Sequence, residues 1–162
     1  MTQDEYFSLL GRLRQSSVGS HRAPHKPLLL LLALTNLQQG NKISLSYVDI
    51  DKRLAPLLKD YAPQSFSSNP NTWDPFRRLS NDELWIVEDE RGAIVERPLA
   101  FSRSELSKLN LRGGLPPAVV SLLQSDPGLI SRSVRFLLER NWLQVCTRTS
   151  STRLDYQLKI VQ

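Results

Sequence analysis

At 162 residues the chain suits one compact domain, and 40% hydrophobic residues with 7 glycines supply a core and argue against a disordered chain. Its 21 cations exceed its 16 acids by five, and 15 of those cations are arginine, whose planar fork suits bidentate binding of phosphate. The single cysteine, Cys146, excludes an intramolecular disulfide and a multi-cysteine zinc site.

One cysteine favours a reducing compartment. The opening "MTQDEYFSLL" carries acids where a signal peptide needs a basic region. The run Leu28–Leu34 is far too short to span a bilayer. A soluble, cytoplasmic protein is therefore expected.

Thr2 or Asp4 can cap a first helix whose apolar positions Tyr6, Phe7, Leu9, Leu10 and Leu13 recur three and four apart. "QSSVGS" ends it. Pro27 fits the first turn of a second helix, where a missing N–H costs nothing. Leucine on nearly every side from Leu28 to Leu37 makes that helix the centre of the core, and Gly40 is its stop.

"KISLS" predicts a short strand, and Ser46 can cap a third helix through Val48, Ile50, Leu54, Leu57 and Leu58, which Pro56 should kink or split. After the polar loop "APQSFSSNPN", the segments "PFRRL" and "LWIVED" predict a hairpin, or a short helix and then a strand. "ERGAIVERPLAF" reads as a further strand after a turn at Arg91–Gly92. Ser102 or Ser104 can cap a short helix that stops before Gly113–Gly114. Pro116 and Pro117 open another helix. A last amphipathic helix carries Leu129, Ile130, Val134, Leu137 and Leu138. The tail "QVCTRTSSTRLDYQLKIVQ" alternates weakly. The order predicts an α+β fold, mainly helical, with winged-helix-like helices and a small β-hairpin or sheet, an arrangement used for nucleic acid.

Little in the chain suggests catalysis. His21 and His25 have the spacing of two metal ligands on one helix face, but Pro24 lies between them and no third ligand is near. "RGGLPP" lacks the lysine and spacing of a phosphate-binding loop. Cys146 has only two distant histidines as partners for a nucleophile, and the carboxylates of "DERGAIVE" read as a solvated strand edge. No cofactor is implied, and the chain reads as a binder.

The binding candidates are three. "SHRAPHKP" crowds Arg22, His25 and Lys26 at a helix N-terminus, where the macrodipole disfavours cations unless an anion is held there. "NTWDPFRRL" sets Trp73, Pro75 and Phe76 beside Arg77 and Arg78 as a greasy surface with a cationic rim, or packs its aromatics into the core. "AFSRSEL" places Arg103 between Ser102 and Ser104 at a helix start, positioned to enter a groove or simply to cap.

In sequence, "RAPHKPLLLLLAL", "PFRRLSNDELW", "GGLP" and "DPGL" resemble the sulfur-binding domain, the DNA-reading module of phosphorothioate-dependent HNH restriction endonucleases of the McrA type. The resemblance runs from about Arg12 to Asn141. It implies a shallow apolar pocket for the sulfur of a phosphorothioated DNA backbone, lined by His21 and Arg22 with Pro75 as its floor. Asp74 and Arg78 fall at wall positions where the family has an aromatic and a small residue, a departure for which Trp73 can substitute as the aromatic wall. Arg14, His25, Lys26 and Arg77 would hold phosphates, and Ser102, Arg103 and Ser104 would read bases. The implied partner is phosphorothioated double-stranded DNA, with no membrane and no metal.

On this reading residues 1–142 form the sulfur-binding domain and 143–162 a tail, linker or hairpin. No histidine follows His25, so an HNH nuclease is not expected, and the chain reads as an isolated reader, a truncated product or an adaptor. Two alternatives stay open. One is a winged-helix regulator of unmodified DNA. The other is a protein-interaction module that docks through exposed Trp73 and Phe76.

Overall fold

In the computed structural model, which describes residues 1–15, 17–18, 21–61 and 70–142 (backbone alone at 17, 18, 21 and 22), the leucine run is the axis of the core. Helix α2 spans His25–Gln38, and Leu28 to Leu32 and Leu34 are almost wholly buried. Each such leucine contributes about 1.5–3 kcal/mol of burial free energy. An all-round apolar helix must be enclosed. It is packed by α3 (Tyr47–Tyr61), α4 (Trp73–Arg78) and α7 (Leu129–Asn141).

Helix α1 (Gln3–Gly11) opens with a reciprocal capping box, in which Thr2 Oγ1 accepts from Glu5 N and the Glu5 carboxylate accepts from Thr2 N. Tyr6 ties α1 to α7. Its hydroxyl donates to Ser133 Oγ at 2.7 Å, and Ser133 donates to Leu129 O. Burial outweighs that bond and pushes the Tyr6 phenol up to about 12.

A three-stranded antiparallel sheet is built from β3 (Ser44–Ser46), β4 (Ile86–Glu88) and β5 (Arg112–Gly114), with β5 in the middle. Leu45 and Val87 both pair with Gly113. The central strand was not expected from the sequence: the short helix stops before Gly113–Gly114 as expected, and the two glycines then lie in β5. Here glycine is a packing requirement. A Cβ on Gly113 would stand 2.5 Å from the Trp85 ring, and one on Gly114 would stand 2.6 Å from the Ile43 carbonyl.

Other elements also depart from expectation. A short antiparallel pair joins β1 (Ser17–Val18), in the stretch expected only to end α1, with β2 (His21–Arg22) in the basic motif that follows. Helix α3 starts where Asp49 N donates to Ser46 Oγ and runs unsplit through Pro56. Pro56 lies on the exposed face, where water can reach the carbonyl left without its donor. The strand expected through "ERGAIVERPLAF" shrinks to one bridge, Glu88 to Ile94, after a turn with Gly92 at φ +87°. Pro98 then starts a 3-10 turn, Pro98–Ala100.

Helices α5 (Arg103–Lys108), α6 (Pro117–Ser125) and α7 follow as expected, with Pro117 in the first turn of α6. The result is mainly helical with a small antiparallel sheet. The tail from 143 and Cys146 lie outside the described residues. Among those described, no helix is long and apolar enough to cross a membrane.

Candidate functional site

Three stretches meet at a surface depression of about 700 Å³. The segment after α1 contributes Arg14 and Gln15, the start of α2 contributes Ala23, His25 and Lys26, and the α4 region contributes Asn71, Asp74, Pro75 and Arg78. Each is held there for a local reason. Gln15 Nε2 donates to Ala23 O at 2.8 Å and to Asn141 Oδ1 at 3.1 Å, fixing the approach to α2. Asn71 Oδ1 accepts from Asp74 N at 3.0 Å, which ties the segment before α4 to its first turn.

Charge in the depression is largely paired from within. Lys26 Nζ lies 2.5 Å from Asp82 Oδ2, with side-chain exposures of 11% and 2%. That carboxylate is the anion that makes a cation tolerable at the uncapped N-terminus of α2. Asp74 pairs with Arg77, accepts from Asn71 Nδ2 at 3.0 Å, and stands 3.8 Å from Arg78 Nε. Burial pushes the Asp74 carboxyl up, but hydrogen bonds from Arg77 and Asn71 and the charges of Arg77 and Arg78 outweigh it and leave it below the usual range. Burial pulls the His25 imidazole below its ordinary 6.5 against the opposing pull of Asp74, so at neutral pH this residue adds no charge to the depression.

The structure thus gathers Arg14, His25, Lys26, Asp74, Pro75 and Arg78 around one depression. Trp73, expected as its aromatic wall, is not among the lining residues. Its ring lies under the Arg103 guanidinium, 4.4 Å from centroid to Cζ. Arg77, expected at phosphate, is turned inward, with Nη1 donating to Phe101 O at 2.9 Å, Nη2 held by Asp74, and a buried Nε without a hydrogen-bond partner. Ser102 caps α5 in a second capping box with Glu105, and its Oγ lies 3.2 Å from Ser104 Oγ. Arg103 and both serines are exposed. The side chains of His21 and Arg22 lie outside what is described.

Phe76 is fully buried against Tyr47 and Trp85, which removes the exposed Trp73–Phe76 pair on which the alternative of a protein-docking module relied. Among the described residues, no group of three or more His, Cys, Asp or Glu could hold a metal ion. Sequence reasoning missed Asp82, Gln15 and Asn71. Only Asn71 had a readable signal, as the first residue of an Asn-x-x-Asp pattern.

Comparison with known proteins adds the family context. The model of one family, described as the ScoMcrA-like DNA sulfur-binding domain, matches residues 3–149. The sulfur-binding domain of ScoMcrA complexed with phosphorothioated DNA superposes with a TM-score of 0.74 at 22% identity, covering 94% of this chain and 98% of that one. The sulfur-binding domain of SprMcrA, also complexed with phosphorothioated DNA, gives 0.76 at 17% identity, covering 99% and 95%. A structure of the sulfur-binding and SRA domains of ScoMcrA with phosphorothioated DNA gives 0.73 at 21% identity, and the chain covers 45% of it. At these identities the likeness is one of fold. No curated protein matches the chain in sequence.

Proposed function

From the premise that this chain belongs to the ScoMcrA-like DNA sulfur-binding domain family, we propose that it binds phosphorothioate-modified double-stranded DNA as the recognition module of a modification-dependent restriction system. Its role is to read, with any cutting left to a nuclease domain or partner. The observation that carries the proposal is the depression whose lining brings the largely buried, apolar Pro75 and Ala23 together with the cations Arg14 and Arg78.

Sulfur in place of a non-bridging phosphate oxygen is larger, softer and a poor hydrogen-bond acceptor. It can lie against a proline ring with little loss. An ordinary phosphate oxygen in the same place surrenders its hydration, at a cost of about 1–3 kcal/mol. Preference then comes mainly from rejecting oxygen. Arg14 and Arg78 are the cations suited to the backbone charge on either side. His21 and Arg22, on the motif "HRAPHKP", complete the pocket in this reading, and Ser102, Arg103 and Ser104 face the neighbouring bases.

The test is a titration of matched duplexes, modified and unmodified, at physiological salt. Tighter binding of the modified duplex by about ten- to a hundredfold is expected. Only one phosphorus diastereomer turns its sulfur toward Pro75, so the other should bind like unmodified DNA. Equal affinities for all three would overturn the proposal.

A further inference from the structure

Lys26 stands at the mouth of the depression, yet its ammonium group points into the protein. It meets a carboxylate with 2% of its side chain exposed, and that carboxylate serves a second partner. Asp82 Oδ1 accepts from the backbone N of Arg14 at 2.9 Å, while Oδ2 takes Lys26. One buried group therefore joins the segment after α1, the first turn of α2, and the 3-10 turn Leu79–Asp82 that continues α4. These are the stretches that carry Arg14, His25 and Arg78 to the depression.

We infer that Asp82 is a positioning residue and that Lys26 is its counter-charge, the pair holding Arg14 and the start of α2 in register with Pro75 rather than contacting DNA. The inference rests on the proposed reading of the depression as the phosphorothioate site. The physical reason is the cost of exposing the pair. A lysine pulled away to a phosphate would leave a buried carboxylate uncompensated, which is the expensive way to break a buried ion pair. A DNA phosphate must therefore find its cation elsewhere, at Arg14 or Arg78. The same carboxylate holds the amide of Arg14, and so fixes the point from which that side chain projects.

Charge and position are separable by experiment. Lys26→Gln, Asp82→Asn and the double variant are titrated with the modified duplex over a range of salt, with circular dichroism checking the fold. Each single change is expected to weaken binding by about tenfold, because the rim loses its register. The double variant keeps a neutral amide pair, in which the introduced asparagine oxygen can still accept from Arg14 N, and should return to within about threefold of the parent. The salt slope should be unchanged throughout. A slope lower by about one unit in Lys26→Gln and in the double variant would place Lys26 on a phosphate and overturn the inference. Parental affinity in both single variants would overturn it too, since nothing would then depend on the pair. If a single variant unfolds, the slope of the double variant alone decides. Should the parent show no preference for sulfur, the proposed function fails instead, and the slopes on unmodified DNA at low salt still test the pair.

Discussion

The Arg103 guanidinium lies over the Trp73 ring, with Cζ 4.4 Å from its centroid. Arg77, one turn on from Trp73, holds the Phe101 carbonyl two residues before Arg103. The start of α5 is thereby fastened twice to the helix that carries Pro75. In the exposed setting of Arg103 the stacking contributes about 0.5–1 kcal/mol. Arg103→Ala, assayed on modified duplexes with varied flanking bases, should relax base preference by about 1–3 kcal/mol while the preference for sulfur stays intact. Trp73→Leu should act in the same direction with a smaller effect. A uniform loss across all flanks would assign Arg103 to the phosphates.

Pro75 offers surface without charge. Pro75→Ser should lower the ratio of modified to unmodified affinity by about tenfold or more and leave the salt dependence untouched. Paired titrations at two salt concentrations separate these effects. Full discrimination in this variant would move the sulfur elsewhere in the depression.

Arg14 and Arg78 should behave in the opposite way. Arg78 is 53% exposed along its side chain and only 3.8 Å from Asp74. Arg14→Gln and Arg78→Gln should each weaken both duplexes and reduce the salt slope by about one unit. Asp74→Asn removes an anion from an anion site and releases Arg77 and Arg78, so binding of both duplexes should rise. Weaker binding of both would give Asp74 a structural role that outweighs its repulsion of DNA.

His25 gives the fold an acid limit. Because its folded pKa lies below the ordinary 6.5, the native state refuses a proton that the unfolded chain accepts. Its contribution is complete above that value and is lost as pH falls toward the lowered folded pKa. Asp74 also faces it, and the depression adds Arg14, Lys26 and Arg78. The depressed Asp74 carboxyl loses its own contribution only below its ordinary 3.8. Urea unfolding between about pH 8 and about pH 5 should show His25→Gln losing less stability than the parent. Equal losses would trace the acid limit to another group.

The leucine helix, the capped starts of α1 and α5 (each with two candidate caps) and the amphipathic helix α7 were legible because each depends on neighbours within a turn or two along the chain. Thr2 with Glu5 and Ser102 with Glu105 are local signals of this kind. The helix stop before Gly113–Gly114 was legible, but the strand they form was not, because its meaning is tertiary: Trp85 covers one glycine and the Ile43 carbonyl approaches the other. "ERGAIVERPLAF" was over-read as a long strand: it pairs with β4 only around the Glu88–Ile94 bridge, and Pro98, which cannot donate to a ladder, opens a 3-10 turn soon after. In the site, the cations and Pro75 could be picked out by type and motif. The engagement of Lys26 with Asp82, 56 positions away, could not, because nothing in "SNDE" says which acid is buried.

Helix α1 and the rim segment after it are fastened to α7 by Tyr6 on Ser133, Gln15 on Asn141, and Arg140 on the carbonyl of Gly11. The two ends of the described chain thus close on one another across the leucine helix. During synthesis this imposes an order. A nascent chain that has released Pro75 and Arg78 still lacks the partners of Tyr6 and Gln15, and a ribosome-bound fragment ending before Ser133 carries the pocket residues without the clasp that orients them. On the proposed function, recognition is then acquired only once α7 has left the exit tunnel, however early the motifs that suggest it are translated.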